Sequence, residues 1–398
     1  MERKPSLPSF LSFGSRWYFT VGFFLVFSVV FSGLVFLSAS SRGIPHFFSK
    51  TYVTEAAVVF SEDVKKKEIT HIQTPDAVKA VYMTSFVAGD IKARGRVVSL
   101  IEETELNSVV IDIKDYTGRV SFETQSPYIQ SLGSSEKRVL DIVDFIDELH
   151  KKNIYVIGRI SAFQDSFLVK KRPDLAVKRK SDKETWKDYK GVSWIDPGAE
   201  EMWEYLVLIG KEAYAVGFDE LNFDYIRFPS DGNMSDIFYP SSGVREKREV
   251  IRSFFSFLEE NLRPTGVFLS ADLFGMTTTN KDDLNIGQVL EYALPYFDYI
   301  DPMVYPSHYP PNFNGYADPN KYPYEVVKFS MDKAVARAIA ASTTPDKLRP
   351  WLQDFDYGGN YDIAEVKAQI KATYDSGLDS WMLWSPSNVY TRGALIVD

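Results

Sequence analysis

Gly217-Phe218-Asp219-Glu220-Leu221-Asn222-Phe223-Asp224-Tyr225-Ile226-Arg227-Phe228-Pro229-Ser230-Asp231 is the stretch from which the fold can be read. Residues 220–223 predict a short buried strand, and the amphipathic run before it, 198–215, predicts a helix. Asp224 arrives where the strand should stop. Tyr225 and Arg227 stand beside it, and Pro229 forbids a helix and opens a loop. A carboxylate at the carboxyl end of a barrel strand is where such folds keep their chemistry. Taken alone, an Asp after a strand is more often a turn cap. Here the same strand-then-carboxylate arrangement recurs along the chain.

Working outward, strands are expected at 77–84, 108–113, 154–160, 220–223, 267–271, 299–305, 349–352 and 380–383. Helical spacing falls between and after them, at 91–106, 138–152, 163–172, 198–215, 245–262, 286–294, 324–342 and 363–376. Strands separated by helices throughout imply a parallel sheet with crossover helices. The strands read as continuous apolar runs, as expected when both faces are buried. Eight of them argue for a closed (β/α)₈ TIM barrel of α/β class over residues 76–398. An open doubly wound sheet would want a glycine-rich phosphate turn after its first strand, and Ser85-Phe86-Val87-Ala88-Gly89 is not one. The basic insertion 178–190 reads as a solvated loop. The aromatic- and proline-rich segment 305–324 is long for a βα connection, which favours a functional loop.

Toward the N-terminus, residues 17–39 form an uncharged apolar run of 23 residues. That matches the ~20 needed to cross a bilayer as a helix. Arg3, Lys4 and Arg16 precede it, which orients residues 1–16 to the cytoplasm. Small residues at Ser38-Ala39-Ser40 offer a signal-peptide alternative, but the apolar region is longer than such peptides carry. The expectation is a single-pass membrane anchor with the barrel outside the cytoplasm; the alternative is secretion after cleavage. Residues 40–75 read as a stalk, with 56–60 as a short strand within it.

The chain has 398 residues, a net charge of −9, four His and no Cys. The acidic balance disfavours nucleic acid as a partner. Without Cys there are no disulfides, thiolate metal sites or Cys nucleophiles, and the scattered His (His46, His71, His150, His308) argue against a His-built metal site. Neither metal nor cofactor is expected. The strand ends supply Asp112, Asp115, Arg159, Asp224, Tyr225, Arg227, Asp272, Asp301, Tyr305, His308, Gln353, Asp354 and Trp384. In a barrel these loops converge on one mouth. Crowded carboxylates raise one another's pKa, and a pair of unequal acidity is the equipment of glycoside hydrolysis. Aromatic faces suit sugar rings. Each position has a plainer reading: Asp112 could pair with Arg159 or Lys114 inside the barrel, Asp301 before Pro302 could cap a strand end, Asp354 could be a turn residue, and Trp384 could be core.

The segments 109–115, 158–160, 222–229, 270–275 and 302–309 resemble, in order, a family of bacterial glycoside hydrolases, the domain of unknown function numbered 4015. The likeness spans about residues 77 to 390. It implies a TIM barrel related to the α-amylase and α-galactosidase groups, with Asp224 as nucleophile. For the proton donor it implies Asp272 on strand five or, in the other arrangement, Asp301 on strand six. The amylase pattern has Glu where this chain has Asp272.

The expected function is therefore hydrolysis of O-glycosidic bonds in an envelope or extracellular polysaccharide by a retaining mechanism. Asp224 attacks and Asp272 serves as acid and base. Asp112 and Asp115 hold hydroxyls or tune the pair, and Arg159 and Arg227 fix the charge of Asp224. Tyr225, Tyr305, His308, Gln353, Asp354 and Trp384 shape the sugar subsite. The rivals are a non-catalytic glycan-binding barrel and a metal-dependent deacetylase or phosphodiesterase.

Overall fold

A strand sends alternate side chains to opposite faces, and in this chain both faces are buried. In a computed structural model, which describes residues 67–397, eight such strands close a parallel barrel. They are β1 (Lys79–Met83), β2 (Ser108–Lys114), β3 (Tyr155–Ser161), β4 (Glu220–Asp224), β5 (Phe268–Phe274), β6 (Tyr299–Met303), β7 (Trp351–Gln353) and β8 (Trp381–Trp384). Each pairs with its successor, and β8 closes on β1 through Lys79 opposite Trp381. The (β/α)₈ expectation agrees with this architecture. The expected cytoplasmic segment 1–16, the membrane span 17–39 and the strand at 56–60 lie outside the described residues. Among the described residues, no helix is long and apolar enough to cross a membrane.

Outward-facing Val109, Ile111, Val156, Leu221, Phe223, Leu269 and Leu383 pack beneath the helices in one continuous apolar layer. Local signals place those helices. Asp90 caps Ile91–Glu102, and a reciprocal Asp362–Glu365 capping box starts Ile363–Asp375. The helix expected at 286–294 shrinks to Leu290–Ala293, because Gly287 lies at φ +86° and Pro295 follows. The insertion expected to be a solvated loop is a packed element. Lys178–Arg179 pairs antiparallel with Ile237–Phe238, and Trp186 is only 1% exposed, its indole N–H donating to Asn233 O at 3.0 Å. Two-residue strands are too short to leave a period in the sequence.

Residues 67–75, read from sequence as the end of a stalk, pack against the barrel's amino-terminal end. Ile72 N donates to Asp219 Oδ1 at 2.9 Å, and Thr74 Oγ1 to the Tyr155 hydroxyl at 3.0 Å. His150 Nε2 lies 2.8 Å from Asp219 Oδ2.

Inside the barrel, polar groups stand in tiers. Arg349 is fully buried and bridges Glu220 and Asp301, with Nη1 to Glu220 Oε2 at 3.1 Å and Nε to Asp301 Oδ1 at 3.1 Å. Breaking a buried ionic cluster leaves uncompensated charge. We therefore expect Arg349→Met to lower stability by about 3 kcal/mol, seen as a lower denaturation midpoint at unchanged slope. An unchanged midpoint would show that Glu220 and Asp301 tolerate each other without the cation.

Candidate active site

The site grows from the inward parity of β2 to β5. Asp112, Arg159, Asp224 and Asp272 stand near the carboxyl ends of four consecutive strands, all buried. Arg159 is their hub. Its Nη1 donates to Asp112 Oδ1 at 2.6 Å, its Nε to Asp224 Oδ2 at 3.1 Å, and its Nη2 also reaches Asp224 Oδ2. The same Nε lies 3.8 Å from Asp272 Oδ2. Asp224 Oδ2 and Asp272 Oδ2 can thus be no farther apart than the sum of those two distances, about 7 Å. Above the guanidinium, Trp384 lies 5.0 Å away and stacks on Tyr82 with centroids 3.9 Å apart. Tyr82 donates its hydroxyl to Asp112 Oδ2. Asp112 is therefore the interior partner of Arg159, one of the two readings the sequence allowed. Lys114 goes elsewhere, to Asp165 Oδ2 at 2.9 Å.

Asp272 takes two hydrogen bonds on one oxygen. Trp351 Nε1 donates to Oδ1 at 2.7 Å and Asn222 Nδ2 at 2.9 Å. Its Oδ2 is left toward Arg159. Burial pushes the Asp272 carboxyl well above the usual carboxylate range, and the charges of Asp224 and Asp301 push the same way against Arg159. Asp301 is its register partner on β6, yet it sits one tier deeper. Arg349 and Asn222 hold both its oxygens, and it does not line the cleft. Burial pushes Asp301 up to about 7; Arg349 opposes this and Glu220 adds to it. Asn222 Nδ2 lies within 3.0 Å of both carboxyls and links the two tiers.

The chain after Asp224 turns sharply. Tyr225 adopts φ +52°, a left-handed conformation that costs a bulky residue roughly 1–2 kcal/mol. This bend lets Tyr225 N donate to Asp224 Oδ1 at 2.5 Å while Ile226 and Phe228 enter the core. Arg227, expected to fix the charge of Asp224, makes no hydrogen bond to it, and the charge of Asp224 acts on it only from a distance. Its Nη1 donates to Phe228 O and Ser230 Oγ, each at 3.1 Å, and its guanidinium lies over Trp194 at 5.1 Å and Tyr225 at 5.5 Å. The turn aims it along the cleft wall instead of back at the strand end.

The cleft occupies about 740 Å³ including its open mouth, and Arg159, Asp224, Tyr225, Arg227, Asp272, Tyr305, His308 and Trp384 line it as expected. Burial, with the Lys190 charge adding, lowers the pKa of His308. Three expected residues are spent on loop structure. Asp115 pairs with Arg138 Nη1 at 2.8 Å, and Asp354 holds Thr391 through its backbone N at 2.9 Å and its hydroxyl at 2.6 Å. Gln353 Oε1 accepts from the Ser307 hydroxyl at 2.8 Å, tying the β6 loop to β7. Phe274 and Met303 line the cleft and were missed, as were the supporting Tyr82, Asn222 and Trp351. Strand parity could have found Phe274, Met303 and Asn222, each two residues from an Asp already singled out. Among the described residues no group of three or more His, Cys, Asp or Glu side chains is placed to hold a metal ion.

Known proteins show the same architecture. The glycoside hydrolase domain of PgaB (BpsB) from Bordetella bronchiseptica is similar with a TM-score of 0.58 at 13% identity, over 78% of this chain and 94% of that one. Alpha-L-fucosidase isoenzyme 2 from Paenibacillus thiaminolyticus gives 0.53 at 11%, over 80% of this chain and 47% of its own. At such identities these likenesses show the fold alone. A hypothetical protein from Ruminiclostridium thermocellum ATCC 27405 is 35% identical over 52% of this chain and 98% of its own, with a TM-score of 0.45. No curated protein matches the sequence. The model of the domain of unknown function numbered 4015, described as "Putative glycosyl hydrolase domain", matches residues 80–390, and by that match this chain belongs to the family.

Proposed function

We propose that this protein is a retaining glycosidase that cleaves O-glycosidic bonds of an envelope or extracellular polysaccharide. The observation that carries the reading is the Asp224–Arg159–Asp272 cluster at the cleft floor, with two carboxyls on adjacent strands in different surroundings. Retaining glycosidases hold their carboxyls ~5–5.5 Å apart and inverting ones ~6.5–9.5 Å apart. The limit of about 7 Å between the two facing oxygens accommodates the retaining separation and only the short end of the inverting one.

In the first step an Asp224 oxygen attacks the anomeric carbon as Asp272 passes its proton to the glycosidic oxygen, and the leaving sugar departs. Asp272 Oδ1 is occupied by two donors, so the proton belongs on Oδ2. In the second step the Asp272 carboxylate takes a proton from water, and that water releases the sugar from Asp224. Arg159 orients Asp224, and Trp384 and Tyr305 line the cleft beside the reacting pair. Asp301 is the less favoured acid, because it lies beneath the cleft with both oxygens held. A panel of α- and β-linked glycans with the product anomer read by NMR, run on wild type and on Asp224→Asn, tests this reading. Retained product from wild type alone supports it, and an inverted product overturns the retaining step.

We further propose that residues 17–39 anchor the chain in the membrane with the barrel outside the cytoplasm, from the apolar run and its preceding cations. The undigested barrel should then fractionate with the membrane, and protease added to spheroplasts should reach residues after 40. A mature N-terminus near Ser40 would replace the anchor with secretion.

A further inference from the structure

Two guanidiniums line the cleft, and they are used differently. Arg159 is committed to Asp112 and Asp224. Arg227 makes no ion pair among the described residues; its hydrogen bonds go only to the neutral Phe228 O and Ser230 Oγ, both through Nη1. Its Nε and Nη2 have no partner among the described residues, and neither is sealed from solvent. That edge of a guanidinium presents two parallel N–H groups, the fork that a carboxylate fills with both oxygens. Trp194 and Tyr225 hold the plane of the group at 5.1 and 5.5 Å.

A structural role alone does not account for the charge. A neutral side chain could pack against the two rings without losing hydration, whereas a half-buried cation without an anion is costly. Burial lowers the pKa of Arg227 against the more distant charges of Asp224, Asp231 and Asp188. The nearby Asp188 is already engaged, since its Oδ1 accepts from Lys190 N at 3.0 Å and Val192 N at 2.9 Å and its Oδ2 from Trp194 Nε1 at 3.0 Å. A second cation, Lys190, stands close enough to His308 at the mouth to act on its pKa. Arg227 and Lys190 are thus the cations on this side of the cleft, with no carboxylate among the described residues in contact with Arg227.

We infer that Arg227 receives the carboxylate of an acidic sugar, so that the glycan bound here carries uronic acid or another carboxyl-bearing residue. This rests on the reading of the cleft as a glycan site and names its substrate class. Arg227 is then a specificity residue at the subsite wall, separate from the reacting pair.

The test is binding, which does not depend on turnover. The full chain in detergent is titrated calorimetrically with oligogalacturonate and oligoglucuronate, each against its methyl ester, and with a phosphoglycerol-substituted glycan. At least one acid should bind about tenfold or more tightly than its ester, the scale of a charge-assisted hydrogen bond. Arg227→Gln should bring that pair within about twofold and leave the ester unchanged, with Arg227→Lys between the two. The inference is overturned if no acid outbinds its ester in wild type, a comparison that needs no variant to fold. It is also overturned if the preference survives in Arg227→Gln, or if only the phosphate-bearing glycan depends on Arg227. Hydrolysis without any preference for acid would sink this inference alone; preference without hydrolysis would sink the glycosidase reading alone.

Discussion

Asp224→Asn should reduce turnover by about 10⁴-fold or more, the scale on which loss of a nucleophile acts in other hydrolases. The substitution keeps the volume of the side chain, and its amide oxygen can still accept from Tyr225 N, as Oδ1 does now at 2.5 Å. What disappears is the charge that attacks the anomeric carbon. The fold should survive, because Arg159 retains Asp112 at 2.6 Å and its seat beneath Trp384 at 5.0 Å. The amide nitrogen that replaces Oδ2 cannot accept from Arg159 Nε and Nη2, so a loss of ~2–4 kcal/mol, several degrees in Tm, is the expected cost. The two readings separate catalysis from structure. A fall in kcat of that size in a variant still fully folded at the assay temperature places Asp224 at the reacting atoms. Comparable falls in kcat and in folded protein would make it a structural partner of Arg159, and full activity on a confirmed substrate would move the reaction elsewhere.

The sequence carried the barrel because its signal is one-dimensional: eight apolar runs at helix-separated intervals each build one strand, and closure follows from their number. It also carried Asp224, Asp272, Arg159 and Trp384, which stand on or beside inward positions of those runs. It misjudged where strands end. Asp272 was placed just after a strand ending at 271, and Asp301 was allowed as a strand-end cap, yet both lie inside their strands with side chains in the barrel. Whether such a carboxyl reaches the cleft depends on barrel geometry. Neighbouring strands tilt ~36° to the axis, so register partners differ in depth. Asp272 and Asp301 are such partners, and only the first lines the cleft. The fate of Asp115 and Asp354 was hidden for another reason. Their partners, Arg138 and Thr391, are 23 and 37 residues away and follow no period. Arg227 was legible as a cation near the strand end, but its direction depends on the left-handed turn at Tyr225, which the sequence around Pro229 does not signal.

Asp272→Asn should show a dependence on the leaving group that Asp224→Asn lacks. For natural glycosides the first step needs a proton on the departing oxygen, and losing a general acid costs ~10²–10⁴-fold. Dinitrophenyl glycosides of the same sugar leave without that proton, so their glycosylation step should stay close to wild type. The second step still needs a base, and intermediate should accumulate as a burst. Added azide requires no deprotonation, so it should relieve the block and give a glycosyl azide of retained configuration. Titration gives an independent check. The Asp272 carboxyl is held well above the carboxylate range, chiefly by burial, so it is protonated on the acid side of that raised pKa and loses its proton as pH rises through it. Wild-type kcat on natural glycosides should therefore fall on the alkaline limb, and Asp272→Asn should lack that limb on dinitrophenyl substrates. Asp301 is the control. It touches Asn222, which also binds Asp272, so Asp301→Asn should shift the alkaline limb while keeping the response to leaving group. If Asp301→Asn instead gives the leaving-group pattern and azide rescue, and Asp272→Asn gives neither, the proton donor is on β6 and the deeper tier must open to substrate during turnover.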